Sequence, residues 1–255
     1  MNLPLTFAPG ASFVVMLDGA AAADAPVKEK KLRSLGTQTK IVNGDDNILT
    51  VDMAALSYDG VEYTAQMPIM AISDRLLRER TNRKGYLKYV FTVKETPASL
   101  RLEAEKMGAV SVKVNGQPVE MIPGGSVDIS DGVCDVLPLV KVGENEVVFE
   151  IEYYQSEHNY QVFNGVYYDH DGTTESMINC LSYLTDVEAI YLLGDFGVEC
   201  ALEKGEKNTR ICQDGKFAIV KSNKDVDAAH LAETGYPFFS GSVTFEKEIE
   251  ADGTE

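Results

Sequence analysis

The 255-residue chain has no tryptophan, three histidines, four cysteines and few basic side chains, 23 Lys and Arg standing against 40 Asp and Glu. Each shortage excludes something. A net charge of −17 repels a phosphate backbone or an anionic leaflet at long range, so neither nucleic acid nor a membrane surface is expected as a partner. No apolar run approaches the ~20 residues of a membrane-spanning helix. Cys134, Cys180, Cys200 and Cys212 lie too far apart for a CxxC motif and are expected to be buried thiols. His158 and His170 lack a Cys or His partner at zinc spacing and His230 stands alone, so no metal site is expected. Asp169, Asp171 and Gly172 resemble the opening of a calcium loop, but the bidentate Glu that would close it is missing. GxSxG, GxGxxG and P-loop signatures are absent, and no cofactor is expected. The apolar residues 13–17 follow no basic region and are shorter than the ~7–15 residues of a signal-peptide core, which points to the cytoplasm unless a parent chain carries the leader.

What is present is mostly strand pattern. Residues 13–17 read as a strand after a turn at Pro9 and Gly10, residues 19–26 as a connector, and residues 28–33 as a solvated basic face. Ile48, Leu49 and Val51 announce another strand. Ser73 ahead of DRLLRER predicts a short helix with Ser73 as its N-cap. From Gly85 onward the period is two: Leu87, Tyr89, Phe91 and Val93 share one face, as do Leu100, Leu102 and Ala104, opposite Arg101, Glu103 and Glu105. Val110, Val112 and Val114 repeat the pattern, and so do Val147, Phe149, Ile151 and Tyr153. Asn115 and Gly116 tolerate the positive φ of a two-residue hairpin turn. Val127 and Ile129 read as strand after the Gly124–Gly125 break.

Met177, Cys180, Leu181 and Leu184 fall at helical spacing, with Thr173 or Thr174 placed to cap them. Ile190 and its neighbours, apolar on both faces, predict a central strand. Further strand pattern at 216–220 and 243–249 starts a second β unit with too few partners for its apolar face, so a truncated piece is expected. Strands in this number with no helical crossovers predict an all-β fold of antiparallel sheets packed as a sandwich.

Residues 86–154 resemble the sugar-binding-type jelly roll found beside the catalytic barrel in glycoside hydrolases, including family 2 β-glycosidases and α-L-rhamnosidase-like proteins. The likeness is carried by residues 89–93, the VKVNG run at 112–116 and the VGENEVV run at 142–148. The stretches ESMINC (175–180), EAIYLLGDFGV (188–198) and GYPFFSGS (235–242) resemble large bacterial rhamnosidase-like proteins. The resemblance implies an N-terminal strand and linker over residues 1–40, a galactose-binding-like jelly-roll β-sandwich over 41–205, and the start of a second β-sandwich over 206–255. It further implies that the partner is a catalytic barrel domain of the same parent protein, and that no catalytic residue lies in this chain, because the acid and base of these families belong to a separate (β/α) barrel.

Glycosidic cleavage requires two carboxylates ~5 Å or ~6.5–9.5 Å apart, and nothing in the sequence selects such a pair. Sugar binding requires aromatic faces and short polar side chains, and residues 153–171 are rich in both. The candidate saccharide contacts are Tyr154, His158, Tyr160, Asn164, Tyr167, Tyr168, Asp169 and His170. Asp195, between Gly194 and Phe196 at the end of an apolar strand, is added as the most pointed single acid. The competing reading makes residues 153–171 an aromatic loop folded over the sandwich edge and Asp195 a carboxylate accepting backbone amides in a turn.

Overall fold

The computed structural model describes residues 35–169, 175–205 and 210–249. The chain divides into two units, Met1–Gly36 and Thr37–Glu255, and nearly all described residues belong to the second. The expected strand at 13–17, the connector at 19–26, the basic face at 28–33, the caps Thr173 and Thr174, and His170, Asp171 and Gly172 lie outside the described residues.

Strands β1 (Gln38–Gly44), β2 (Asn47–Val51), β3 (Met53–Ser57) and β4 (Met67–Pro68) precede helix α1 (Ile69–Glu79). Then come β5 (Arg83–Val93), β6 (Arg101–Ala104), β7 (Ala109–Val114), β8 (Gln117–Val119), β9 (Ile122–Pro123), β10 (Gly132–Asp135), β11 (Gly143–Tyr153) and helix α2 (Glu157–Asn164). The chain continues through β12 (Ile190–Gly194), β13 (Gly197–Lys204), β14 (Arg210–Val220), β15 (Asp225–Asp227) and β16 (Val243–Glu246).

The long strands β5 and β11 pair antiparallel over their full length. In both, every second residue is buried: Leu87, Tyr89, Phe91 and Val93 on β5, and Val147, Phe149, Ile151 and Tyr153 on β11. These two strands sit at the centre of an eight-stranded sheet that runs β13-β14-β5-β11-β7-β8, with β3 also paired to β5. A parallel contact joins Ala218 and Ile219 of β14 to Thr92 and Val93 of β5. A five-stranded sheet in the order β2-β12-β6-β10-β9 supplies Leu49, Leu102, Ile190 and Leu192 to the same core as the buried residues of the larger sheet. The fold is therefore all-β, with mainly antiparallel sheets and a core shared between them. A separate small sheet, β15-β1-β16, has its own cluster of Ile41, Val226 and Tyr236.

The expected hairpin forms at Asn115 and Gly116, whose φ angles of 48° and 79° match the turn twist of flanking strands. Asn115 does more than turn the chain. Its amide group donates to Leu139 O at 2.9 Å and to Asn145 Oδ1 at 2.8 Å, while its Oδ1 accepts from the Glu146 amide at 3.0 Å. Asn145, 1% exposed, accepts from the Lys141 amide and donates back to the Lys141 carbonyl. The VNG and GEN motifs thus meet in one buried network, in which each amide satisfies backbone that would otherwise be orphaned.

Several sequence expectations are corrected. Helix α1 starts a turn earlier than Ser73, after Pro68, because Ile69 and Ile72 extend the buried stripe of Leu76 and Leu77 upstream. Ser73 is inside it and caps nothing. Glu103 is not on a wet face but fully buried, since β6 is central in its sheet and the loop of residues 124–131 covers it: Ser126 Oγ donates to the carboxylate at 3.0 Å, and the Val127 amide donates as well. That same loop replaces the expected strand at Val127 and Ile129, leaving Ile129 91% exposed. Val110 is exposed because a register shift at Glu150 and Ile151 takes it out of the pairing with β11. None of the four cysteines is buried as expected: Cys134, Cys200 and Cys212 are half-buried and Cys180 is exposed.

The region after β11 differs most. A helix forms at Glu157–Asn164, capped by Ser156, whose Oγ accepts from the Asn159 amide at 3.1 Å. A π-helical turn, Gly165–Asp169, follows. The expected helix through Leu184 is only a 3-10 turn, Glu175–Cys180, and Leu184 is 59% exposed. The cause is competition for backbone groups. Asn159 donates to Ser182 O at 2.8 Å, the Leu184 amide donates to Gln155 Oε1 at 3.1 Å, and Gln155 also donates to Thr185 O. These buried amides hold residues 182–185 out of a helix.

Candidate functional site

A cleft of about 610 Å³ opens between α1, α2 and the segment leading into β12. Ser73, Asp74 and Leu77 of α1 form one wall, Phe163 and Tyr167 a second, and Tyr183, Asp186 and Glu188 a third. Two side-chain bonds brace it: Asn164 donates to Leu77 O at 3.0 Å, joining α2 to α1, and to Tyr160 O at 2.8 Å within α2. The Phe163 and Tyr167 rings lie 4.9 Å apart, tilted by 54°, and Tyr167 remains 51% exposed.

Among the described residues no cation pairs with Asp186 or Glu188. Burial raises the carboxyl of Asp186 above its ordinary value, opposed only by a hydrogen bond from the Val187 amide. Burial also raises Glu188, and the like charges of Glu105, Asp186 and Asp131 add to it. The Tyr183 hydroxyl is pushed up by burial and then by Asp186. Aromatic faces beside carboxylates that lack cation partners suit neutral polyhydroxylated ligands, whose hydroxyls donate to carboxylate while ring C–H faces stack. The same field disfavours anionic ligands.

The sequence-predicted residues divide around this cleft. Tyr167 lines it. Tyr168 stands next to it but is committed to the protein: Arg78 lies over its ring at 4.1 Å and donates to its hydroxyl at 2.7 Å, and the hydroxyl in turn donates to Asp74. The Asp74 bond, more than burial, raises the hydroxyl's pKa. Asp169 pairs with Arg80. Tyr160 and Asn164 are buried, with Tyr160 donating to Asn82 Oδ1 at 2.6 Å, so their polar groups face the protein and not a ligand. Tyr154 and His158 are exposed and do not line the cleft. Asp195 lies in a different hollow, of about 300 Å³. Its carboxylate accepts from Lys224 at 2.7 Å, which lowers its pKa, and its own amide donates to Ser99 Oγ at 2.9 Å. It is a paired turn residue, although its partner is a lysine rather than backbone amides.

Sequence reasoning missed Asp74, Phe163, Tyr183, Asp186 and Glu188. One signal was available for two of them: Asp186 and Glu188 sit directly before a strand that is apolar on both faces, where an acid is carried toward the interior.

No family model matches the chain, and no curated protein matches it. Among solved structures it is similar to a β-D-mannosidase from Dictyoglomus thermophilum, at 13% identity and a TM-score of 0.33 over 62% of this chain and 24% of that one. It is also similar to a β-glucuronidase from Ruminococcus gnavus, at 15% identity and a TM-score of 0.33 over 67% of this chain and 33% of that one. A third is an FMN-binding β-glucuronidase from Facaelibacterium prausnitzii, at 14% identity and a TM-score of 0.35 over 71% and 28%. The chain thus spans about a quarter to a third of the length of these structures, and matches at this level say nothing about its activity.

Proposed function

We propose that this chain is a non-catalytic β-sandwich portion of a larger glycoside hydrolase of the α-L-rhamnosidase-like kind, and that its cleft between α1, α2 and the approach to β12 contacts saccharide. The observation that carries the binding role is that exposed Tyr167 and half-buried Tyr183 share one 610 Å³ cleft with two carboxylates that no cation pairs among the described residues. The motifs that resemble this family support the placement, since VNG closes a hairpin and GEN opens the long strand β11 here. The non-catalytic role rests on architecture: the described strands form antiparallel sheets with one parallel contact, whereas the acid and base of these families belong to a (β/α) barrel, which is the expected partner domain.

The test is calorimetric titration with a panel of neutral mono- and disaccharides, and with uronates. Neutral sugars are expected to bind and uronates to bind at least tenfold more weakly. Tyr167→Ala is expected to reduce binding tenfold or more, and Tyr168→Ala less, because its ring is already covered by Arg78. Binding that ignores Tyr167→Ala and Tyr183→Ala removes the cleft from the proposal. Independently, the purified chain is expected to leave aryl glycosides, aryl rhamnosides included, unhydrolysed; turnover that persists through purification overturns the non-catalytic role.

A further inference from the structure

Asp131 is 1% exposed, and neither of its carboxylate oxygens has a hydrogen-bond partner. An ionised carboxylate is not left in that state without compensation, because burial removes its water and nothing replaces it. Its surroundings aggravate the cost. Glu103, Asp128 and Glu105 all act on it as like charges, opposed only by the Asp128 main chain, and Glu103 is itself fully buried. Arg101 points elsewhere, pairing with Asp46 and donating to Ser126 Oγ at 3.1 Å.

The loop backbone fixes this arrangement. The amides of Gly124 and Gly125 donate to the Asp131 carbonyl at 3.1 and 3.2 Å, and the Asp131 amide donates to the Asp128 carbonyl at 3.1 Å. Gly125 packs so closely that a β-carbon on it would lie 2.3 Å from the Asp128 carbonyl oxygen, 2.5 Å from Asp131 Cβ and 2.7 Å from Glu103 Oε1. The Asp128 carbonyl oxygen, Glu103 Oε1 and the β-carbon that carries the Asp131 carboxylate are therefore gathered around one glycine. All the donors are oxygens, the set a hard cation prefers.

We propose that the loop of residues 124–131 closes over a divalent-cation site of the calcium class, with Asp131 and Glu103 as its carboxylate ligands. Among the described residues no group of three His, Cys, Asp or Glu side chains is placed to hold a metal. The remaining ligands are accordingly main-chain carbonyl, such as that of Asp128, and water. Calcium accepts that mixture in irregular geometry, whereas magnesium demands a near-ideal octahedron. The site is separate from the saccharide cleft, which neither ligand lines.

The test uses the full chain stripped with chelator and titrated calorimetrically with calcium chloride, alongside thermal unfolding in chelator, calcium or magnesium at matched ionic strength. One saturable calcium site is expected, together with a rise in unfolding temperature at about 1 mM calcium that magnesium does not reproduce. Asp131→Asn is expected to weaken calcium binding at least tenfold and to raise the unfolding temperature measured in chelator, because it removes the unpartnered charge. Glu103→Gln, checked for folding by circular dichroism, provides a second variant and is also expected to weaken binding. Glu144→Gln, on the exposed start of β11, is expected to bind like the parent. No saturable binding, or binding unchanged in a folded Asp131→Asn or Glu103→Gln chain, overturns the site. So does a stabilised Asp131→Asn chain whose parent ignores calcium, which would show a carboxyl held neutral instead.

Discussion

Asp195 and Asp186 stand at opposite ends of β12, and their environments are opposite in sense. Asp195, after the strand, meets Lys224, and its carboxyl is held below the ordinary range. Asp186, before the strand, meets buried Val187, aromatic rings and other acids, and its carboxyl is raised by burial. The pair shows that an acid's chemical role follows from what surrounds it in space, not from its flanking sequence. Asp195 has the more suggestive neighbours in the chain, yet it is paired with a lysine; Asp186 looks ordinary and has no cation partner among the described residues.

The largest way to break this comparison is to remove the strand that separates the two acids. Leu192, fully buried in β12, is expected to cost about 2–5 kcal/mol when replaced in Leu192→Ala, measured by urea denaturation, and both environments should loosen together. A loss below about 1 kcal/mol would mean that β12 does not anchor them.

A smaller effect sharpens the contrast through pH. The folded-state pKa of Asp186 is raised, so the folded chain binds more protons than the unfolded chain between the ordinary carboxylate value and the raised one. Stability is therefore lost as pH rises through that window, and the full cost is present above it. Asp186→Asn should raise the unfolding temperature at neutral pH, and the gain should vanish as pH falls below the ordinary carboxylate range.

The smallest effect has the opposite sign. Asp195 has a depressed pKa, so its contribution is present above the unfolded value and lost as pH falls through the folded one. Lys224→Met should destabilise at neutral pH by no more than about 1 kcal/mol, since both partners are roughly half exposed, and the difference from the parent should close in acid. If the two variants shift stability in the same direction with pH, the contrast fails.

How much of this was readable from sequence follows from the range of each interaction. The strands β5 and β11 were legible because burial of alternate residues is written locally, and Asn115–Gly116 was legible because a tight turn depends on two φ angles. The bond between Asn115 and Asn145 was not, although both motifs were noticed, since a sequence separates by thirty positions what the sheet brings to 2.8 Å. Helix α2 was read as loop because its buried face mixes Asn159, Tyr160 and Asn164 with Val162, and a polar stripe hides the period. Residues 177–184 erred in the other direction: their spacing is helical, but Gln155 and Asn159 take the backbone groups a helix would need. The candidate site suffered most. Of the eight described residues among the nine named from sequence, Tyr167 alone lines the cleft, because cleft walls are chosen by how α1 and α2 fold over the sandwich.

The central claim is that the cleft holds neutral saccharide between Tyr167, Tyr183 and the unpaired acids. Chemical-shift mapping of the isotope-labelled chain during titration with a bound neutral sugar tests it most directly. The account predicts saturable shifts concentrated at Tyr167, Tyr183, Asp186 and Glu188, with Asp195 and Lys224 unmoved. Shifts centred on the hollow of Asp195, or none at saturating sugar, would contradict it.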